Sequence, residues 1–160
     1  MIPSINQHDI TEEAFGTAIK YISYRPRTEQ ETRKRLLKRY VNSTVEVAIA
    51  KCYKNNLLND QKFSEMWVES RTNSRPKSAY MIKRELISKG VNKQIAEEVT
   101  QSVDDNENAL SAADKKTRSI SHLPKDQFIR KLMDHLLRKG FNRDIVKKTT
   151  NSAWSNRNNR

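Results

Sequence analysis

The chain has 160 residues, of which 35% are apolar, and carries 31 Lys and Arg against 19 Asp and Glu, for a formal charge of +12. So low an apolar share, against the usual ~45–50%, excludes a single large central core, and no run approaches the ~18 apolar residues that would cross a membrane. The charge says nothing of fold but points to anionic partners: nucleic acid, an acidic protein surface or anionic lipid.

Ala14, Phe15, Ala18, Ile19 and Ile22 recur at helical spacing and predict a first helix. Arg25-Pro26-Arg27 ends it, because proline is not tolerated inside a helix. Thr28 with Glu31 is the signature of a capping box opening a second helix, on which Leu36 and Leu37 point inward. Val45 and Ile49 mark a third. The same order returns twice. Phe63, Met66, Trp67 and Ser70 precede Pro76; Ile82, Leu86 and Ile87 follow it; then Gly90 stops the helix, Asn92 caps the next, and Ile95, Val99 and Val103 line it. Ala109, Leu110 and Ala113 precede Pro124; Phe128, Ile129, Leu132, Met133, Leu136 and Leu137 form a broad apolar face; Gly140 stops it, and Phe141 is placed to staple onto Val146. No segment alternates as a strand does. Asn55-Asn56, Asn59-Asp60 and Asp104-Asp105-Asn106 are short turn-and-cap linkers rather than tethers.

The recurrence has a fixed period. Leu36-Leu37-Lys38-Arg39-Tyr40-Val41-Asn42 returns fifty positions on as Leu86-Ile87-Ser88-Lys89-Gly90-Val91-Asn92, and again as Leu136-Leu137-Arg138-Lys139-Gly140-Phe141-Asn142. Such a period means tandem units stacked on their neighbours. The prediction is an all-α chain of three tandem three-helix, helix-turn-helix-like repeats in an elongated body. Repeat one covers 1–58, repeat two 59–104 and repeat three 105–155, with a frayed tail over 156–160. Tyr40 stands where the other copies have glycine, so its turn must avoid the left-handed conformation or bear about 1 kcal/mol or more.

Catalytic signals are missing. His8, His122 and His135 have no ligand-like spacing with one another or with Cys52, so no metal is expected. Three glycines cannot build a phosphate loop, and no serine sits in a nucleophile elbow. Asp104-Asp105 reads as a cap rather than an acid–base pair. The expectation is a non-enzyme without cofactor. A lone cysteine, read as a small buried hydrophobe, rules out an internal disulfide and favours a reducing compartment. Met1-Ile2-Pro3-Ser4-Ile5-Asn6 does not read as a signal peptide. A soluble cytoplasmic monomer is expected.

The basic residues are more informative. Lys34 and Lys38 lie one turn apart, away from the Leu36, Leu37 and Tyr40 face, with Arg35 and Arg39 forming an adjacent pair. Like charges at that spacing repel, and an acidic partner would offset the repulsion; a solvated polar face is the plain alternative. Arg33 and Lys83 fall nearer the apolar stripe, where their stems would lie on it. Arg25 and Arg27, then Arg75 and Lys77 with Arg71 and Arg84 nearby, make a second basic row that weakens at Lys125-Asp126-Gln127. These ten form the candidate edge for a polyanionic partner. Tyr21, Tyr24, Tyr53, Trp67, Tyr80 and Trp154 are placed either to stack on bases or to pack in cores. An alternative is sequence-specific DNA reading by the helix starts Asn92-Lys93-Gln94 and Asn142-Arg143-Asp144.

The pattern around Leu86, Lys89, Gly90, Val91, Ile95 and Val99 resembles the repeated core of the RecX family. Phe63 and Arg71 ahead of Glu85-Leu86 are similar to its middle unit, and Tyr21-Ile22, Arg25, Arg27-Thr28 and Glu31 to its opening one. The resemblance covers about residues 14 to 150 and departs at Tyr40 and Ser78-Ala79. It implies an elongated, curved array of three three-helix units. It also implies binding along the groove of the RecA filament, inhibition of RecA ATPase, strand exchange and coprotease activity, and hence a role in recombination, DNA repair and SOS regulation. Several members also bind single- or double-stranded DNA, and the family has no catalytic residues. The alternative within this reading is a direct DNA binder acting without a protein partner.

Overall fold

The computed structural model describes residues 6–157. Residues 1–5, where no signal peptide was expected, and 158–160, most of the expected frayed tail, lie outside the described residues. The described elements are all helices, in threes: α1 (Gln7–Ser23), α2 (Glu29–Leu36), α3 (Asn42–Lys54); α4 (Asp60–Asn73), α5 (Ala79–Ser88), α6 (Lys93–Thr100); α7 (Asp105–Ile120), α8 (Lys125–Arg138), α9 (Arg143–Arg157).

Local chemistry sets the boundaries. Thr28 and Glu31 close the expected capping box at the start of α2. Asp104 caps α7 by accepting from the Asn106 and Glu107 amides. Asn92 and Asn142 accept from the amides of Gln94 (2.7 Å) and Ile145 (2.9 Å), while α3 begins at Asn42 itself, after Val41, without a side-chain cap. Gly90 and Gly140 hold φ of 85° and 87°. Tyr40 avoids the left-handed region altogether, since Asn56 is the only described non-glycine with positive φ. Its ring turns inward, with the hydroxyl 3.0 Å from Thr17 Oγ1 and donating to Glu13 at 3.2 Å.

The C-terminal end differs from expectation. Helix α9 continues to Arg157, two residues into the stretch expected to fray. Trp154 meets Phe128 edge-on at 5.3 Å. Arg157 covers both rings and donates to the Leu123 carbonyl at 2.8 Å. These contacts give the last turn a packed face and so a reason to stay helical.

The chain packs as two compact units, residues 1–65 with 86–96, and residues 66–85 with 97–160. The first is cored by Ala14, Ala18, Leu36, Val45, Ala48 and Cys52, all at 0% exposure. The second is cored by Ala109, Phe128, Leu132, Leu136 and Val146, also at 0%, with Phe141 beside them. The buried positions of α1 are small, Thr11, Ala14 and Ala18, and so are Ala109, Ala112 and Ala113 of α7.

One joint is built twice, once in each unit. In the first, Thr28 Oγ1 donates to the Lys89 carbonyl at 2.6 Å, and the Glu29 amide donates to Asp60 at 2.9 Å. In the second, the Ser78 amide donates to the Lys139 carbonyl at 3.1 Å, and the Ala79 amide donates to Asp105 at 2.7 Å. Each Lys-Gly turn thus seats against the start of the middle helix one module earlier, and an aspartate opening the next helix caps the orphan amide there. A β-carbon at Gly90 would fall 1.7 Å from Gln30 Oε1 and 2.3 Å from Gln30 Cβ; at Gly140 it would fall 2.5 Å from Ser78 Oγ. Glycine is required both for the positive φ and for this approach.

Candidate functional site

The candidate cations divide by what neutralises them. In the first unit Arg25 donates to Glu31 at 2.7 Å, and Arg39 pairs with Glu13. Glu31 also accepts from the Thr28 amide and lies 3.7 Å from Lys89 Nζ. Burial alone would raise the Glu31 carboxyl, but Arg25, the Thr28 amide and Lys89 hold it below its ordinary value. Arg27 stacks 4.1 Å over Tyr21, and Arg35 lies over the same ring at 5.9 Å. Lys34 and Arg35 on α2 and Lys38 in the turn after it are exposed and form no ion pair with a described residue. Arg33 does more than lay its stem on the core: it bridges Glu29 and Glu46. Lys83 likewise pairs with Glu97 at 3.4 Å.

In the second unit Arg71 and Lys77 converge on one acid. Glu85 accepts from Arg71 Nε at 2.7 Å and from Trp67 Nε1 at 2.8 Å, and pairs with Lys77. Burial would raise the Glu85 carboxyl, but these donors outweigh it and hold the group low. The Arg71 guanidinium also stacks on Trp67 at 4.1 Å. Arg75 is exposed, and Arg84 is exposed near the Tyr80 ring at 5.7 Å.

Two further lysines join this group. Lys115 Nζ donates to the carbonyls of Asn73 (3.1 Å) and Ser74 (2.9 Å), which pins α7 to the loop carrying Arg75 and Lys77. Lys139, whose carbonyl holds Ser78, is half-buried and its ammonium is pushed down, first by burial and then by Lys77, Lys115, Arg71 and Arg75. Five cations therefore surround residues 71–78, and among the described residues Glu85 is the only carboxylate paired with any of them. A group of like charges left short of counter-charge is a preorganised seat for an anion. Sequence reading found Arg71, Arg75 and Lys77 but missed Lys115 and Lys139. The available signal for Lys139 was its place in the recurring Lys-Gly turn.

Cys52 is fully buried, and burial pushes its thiol up to about 11. His135 is half-buried and held low by burial and then by Lys139, Lys116 and Arg138. Among the described residues no three His, Cys, Asp or Glu side chains gather as a metal site would require, and no helix is long and apolar enough to cross a membrane.

Models of the first, second and third three-helix domains of RecX match residues 14–52, 59–99 and 104–149. The regulatory protein RecX of Prosthecochloris aestuarii is 33% identical, over 91% of this chain and 97% of its own length. The chain belongs to the RecX family. A second regulatory protein RecX, from Bacillus cytotoxicus, is 32% identical over 91% of this chain; the chain spans 55% of that longer relative. The crystal structure of RecX from Lactobacillus salivarius aligns with a TM-score of 0.75 at 27% identity, covering 91% of this chain and 97% of that one. In RecX terms, the five-cation group draws Arg71, Arg75 and Lys77 from the second three-helix domain and Lys115 and Lys139 from the third, and Lys34, Arg35 and Lys38 lie in the first.

Proposed function

We propose that this RecX-family protein is a non-enzymatic, cytoplasmic regulator, acting as a monomer, that binds the RecA recombinase filament and lowers its ATPase, recombination and coprotease activities. The observation that carries the reading is the cation group of Arg71, Arg75, Lys77, Lys115 and Lys139 with its single carboxylate. A filament on DNA is a polyanion with repeating acidic surface. An anion approaching Lys139 relieves the repulsion that its four cationic neighbours impose. Contacts from several modules to one polymer act intramolecularly after the first, so weak sites add to tight binding. The relatives' name, regulatory protein, supports a partner-directed role.

The test is RecA ATPase on single-stranded DNA with increasing amounts of the protein. The rate is expected to fall to a plateau, and Lys115→Gln with Lys139→Gln is expected to raise the amount needed about tenfold. An unchanged rate at saturating protein and low salt refutes the reading. The same cations favour a second reading, direct DNA binding without a protein partner. Binding that keeps a sequence preference at physiological salt supports that second reading; weak, non-selective, salt-quenched binding supports the first.

A further inference from the structure

Three modules in one chain are three trials of the same position. Leu36, Leu86 and Leu136 recur because each is fully buried, at 0% exposure. The next position is also aliphatic in all three copies, yet Leu37, Ile87 and Leu137 are 45%, 42% and 41% exposed. The core covers them only in part. Helix propensity does not select them, since Ile is a poorer helix former than Lys, Gln or Arg. The solvent-facing neighbours have diverged: Lys34, Arg84 and Asp134 one turn before, and Lys38, Ser88 and Arg138 just after. A single exposed leucine is ordinary on a protein surface. An exposed aliphatic kept at one register while the positions around it drift calls for a cause outside the fold.

The surroundings narrow that cause. At least one exposed cation lies within a turn of each side chain: Lys34 and Lys38 at Leu37, Arg84 at Ile87, and Arg138, with Asp134 on the other side, at Leu137. In the third module Leu137 lines a shallow trough of about 350 Å³ along α8, together with Ile129 and Met133 and the charged Asp126, Arg130 and Asp134. An aliphatic tip with a cation beside it complements an apolar pocket that carries a carboxylate at its rim. Three equivalent tips need three equivalent pockets, which a polymer of one repeating subunit supplies. We infer that Leu37, Ile87 and Leu137 are three copies of one docking contact, each inserting into an apolar, acid-rimmed pocket on a protomer of the filament. This inference rests on the filament reading above and adds to it a contact that salt does not screen. The cations supply attraction and orientation, and the aliphatic tips supply the water-excluding anchor.

The experiment replaces Leu37→Gln, Ile87→Gln and Leu137→Gln, singly and together. Glutamine is neutral and helix-compatible, so net charge and helicity are preserved. Circular dichroism and thermal melting check that the fold is retained. Anisotropy then measures binding to RecA filaments assembled on single-stranded DNA. Each single change is expected to weaken binding roughly tenfold, and the triple change roughly a thousandfold, with little dependence on salt. A triple variant within about twofold of wild type overturns the docking contact while leaving the filament reading in place. A wild-type protein that does not bind filaments overturns both. Sedimentation equilibrium supplies the other occupant: a wild-type dimer dispersed by the triple change assigns the tips to a second copy of this chain and overturns the inference.

Discussion

Gly90→Ala is the sharpest perturbation of the repeated joint. The new side chain would occupy a backbone with φ of 85°, which costs an L-residue about 1–2 kcal/mol. Its β-carbon would also fall 2.3 Å from Gln30 Cβ. Gln30 Oε1 can rotate away, but its Cβ is fixed to α2, so the start of that helix must shift. Overpacking of this kind costs about 1–3 kcal/mol. The sum is about 3 kcal/mol, or about 6–12 °C in melting temperature for a chain of this length. At Gly140 the nearest atoms are the rotatable Ser78 hydroxyl at 2.5 Å and Met81 Cβ at 3.0 Å. Gly140→Ala is therefore expected to cost less, about 2 kcal/mol. Asparagine separates the two causes. It tolerates positive φ but keeps a β-carbon, so Gly90→Asn should recover only the conformational part and still lose about 2 kcal/mol. Urea unfolding followed by far-UV circular dichroism gives all three values. Should Gly90→Asn lie within about 0.5 kcal/mol of wild type, the close approach of Gln30 has no energetic consequence and the joint is only a turn.

Glu85→Gln leaves Arg71 and Lys77, with side chains 13% and 27% exposed, without their carboxylate. It should cost about 2 kcal/mol at pH 7. Because the Glu85 carboxyl is held below its ordinary value of 4.5 in the fold, its stabilisation is complete above that pH and is lost as pH falls through the lowered value. The gap between wild type and Glu85→Gln should therefore narrow from pH 7 to pH 3 in urea midpoints; a constant gap would show that Glu85 acts by packing alone. Lys34→Glu with Lys38→Glu removes two exposed cations, one on α2 and one in the turn after it, and should leave helicity unchanged while weakening filament binding about tenfold at low salt and little at high salt. Unchanged binding at low salt would exclude that face of α2 from the interface.

The helices were legible because each module repeats the same buried stripe. Leu36, Leu86 and Leu136, fifty apart, all reach 0% exposure, and Pro26, Pro76 and Pro124 all fall between helices. The continuation of α9 to Arg157 was less legible. What holds it is Trp154 against Phe128 and Arg157 over both rings, contacts between residues about thirty apart that no local period encodes. Asp104 was readable as a cap because its amides are its own neighbours. Asp60 and Asp105 cap helices that start 31 and 26 residues earlier, so their role could not be found from spacing alone.

The sequence shows where the cations recur but not which of them the fold neutralises. A sequence shows that Arg71, Lys77 and Arg75 are near one another; it does not show that Glu85 claims two of them and leaves the third exposed. Nor does it show that Lys139 serves twice. Its carbonyl receives the Ser78 amide and so fixes the joint, while its ammonium enters the cation group beside Lys77 and Lys115. The glycine that follows makes both possible, because only a residue without a β-carbon lets the turn come within reach of Ser78 and Met81. The recurring Lys-Gly pair is thus more than a helix stop. In the third module it couples the packing of one module on another to the placement of charge, so a change that loosens the Gly140 turn should disperse the cations as well as destabilise the fold.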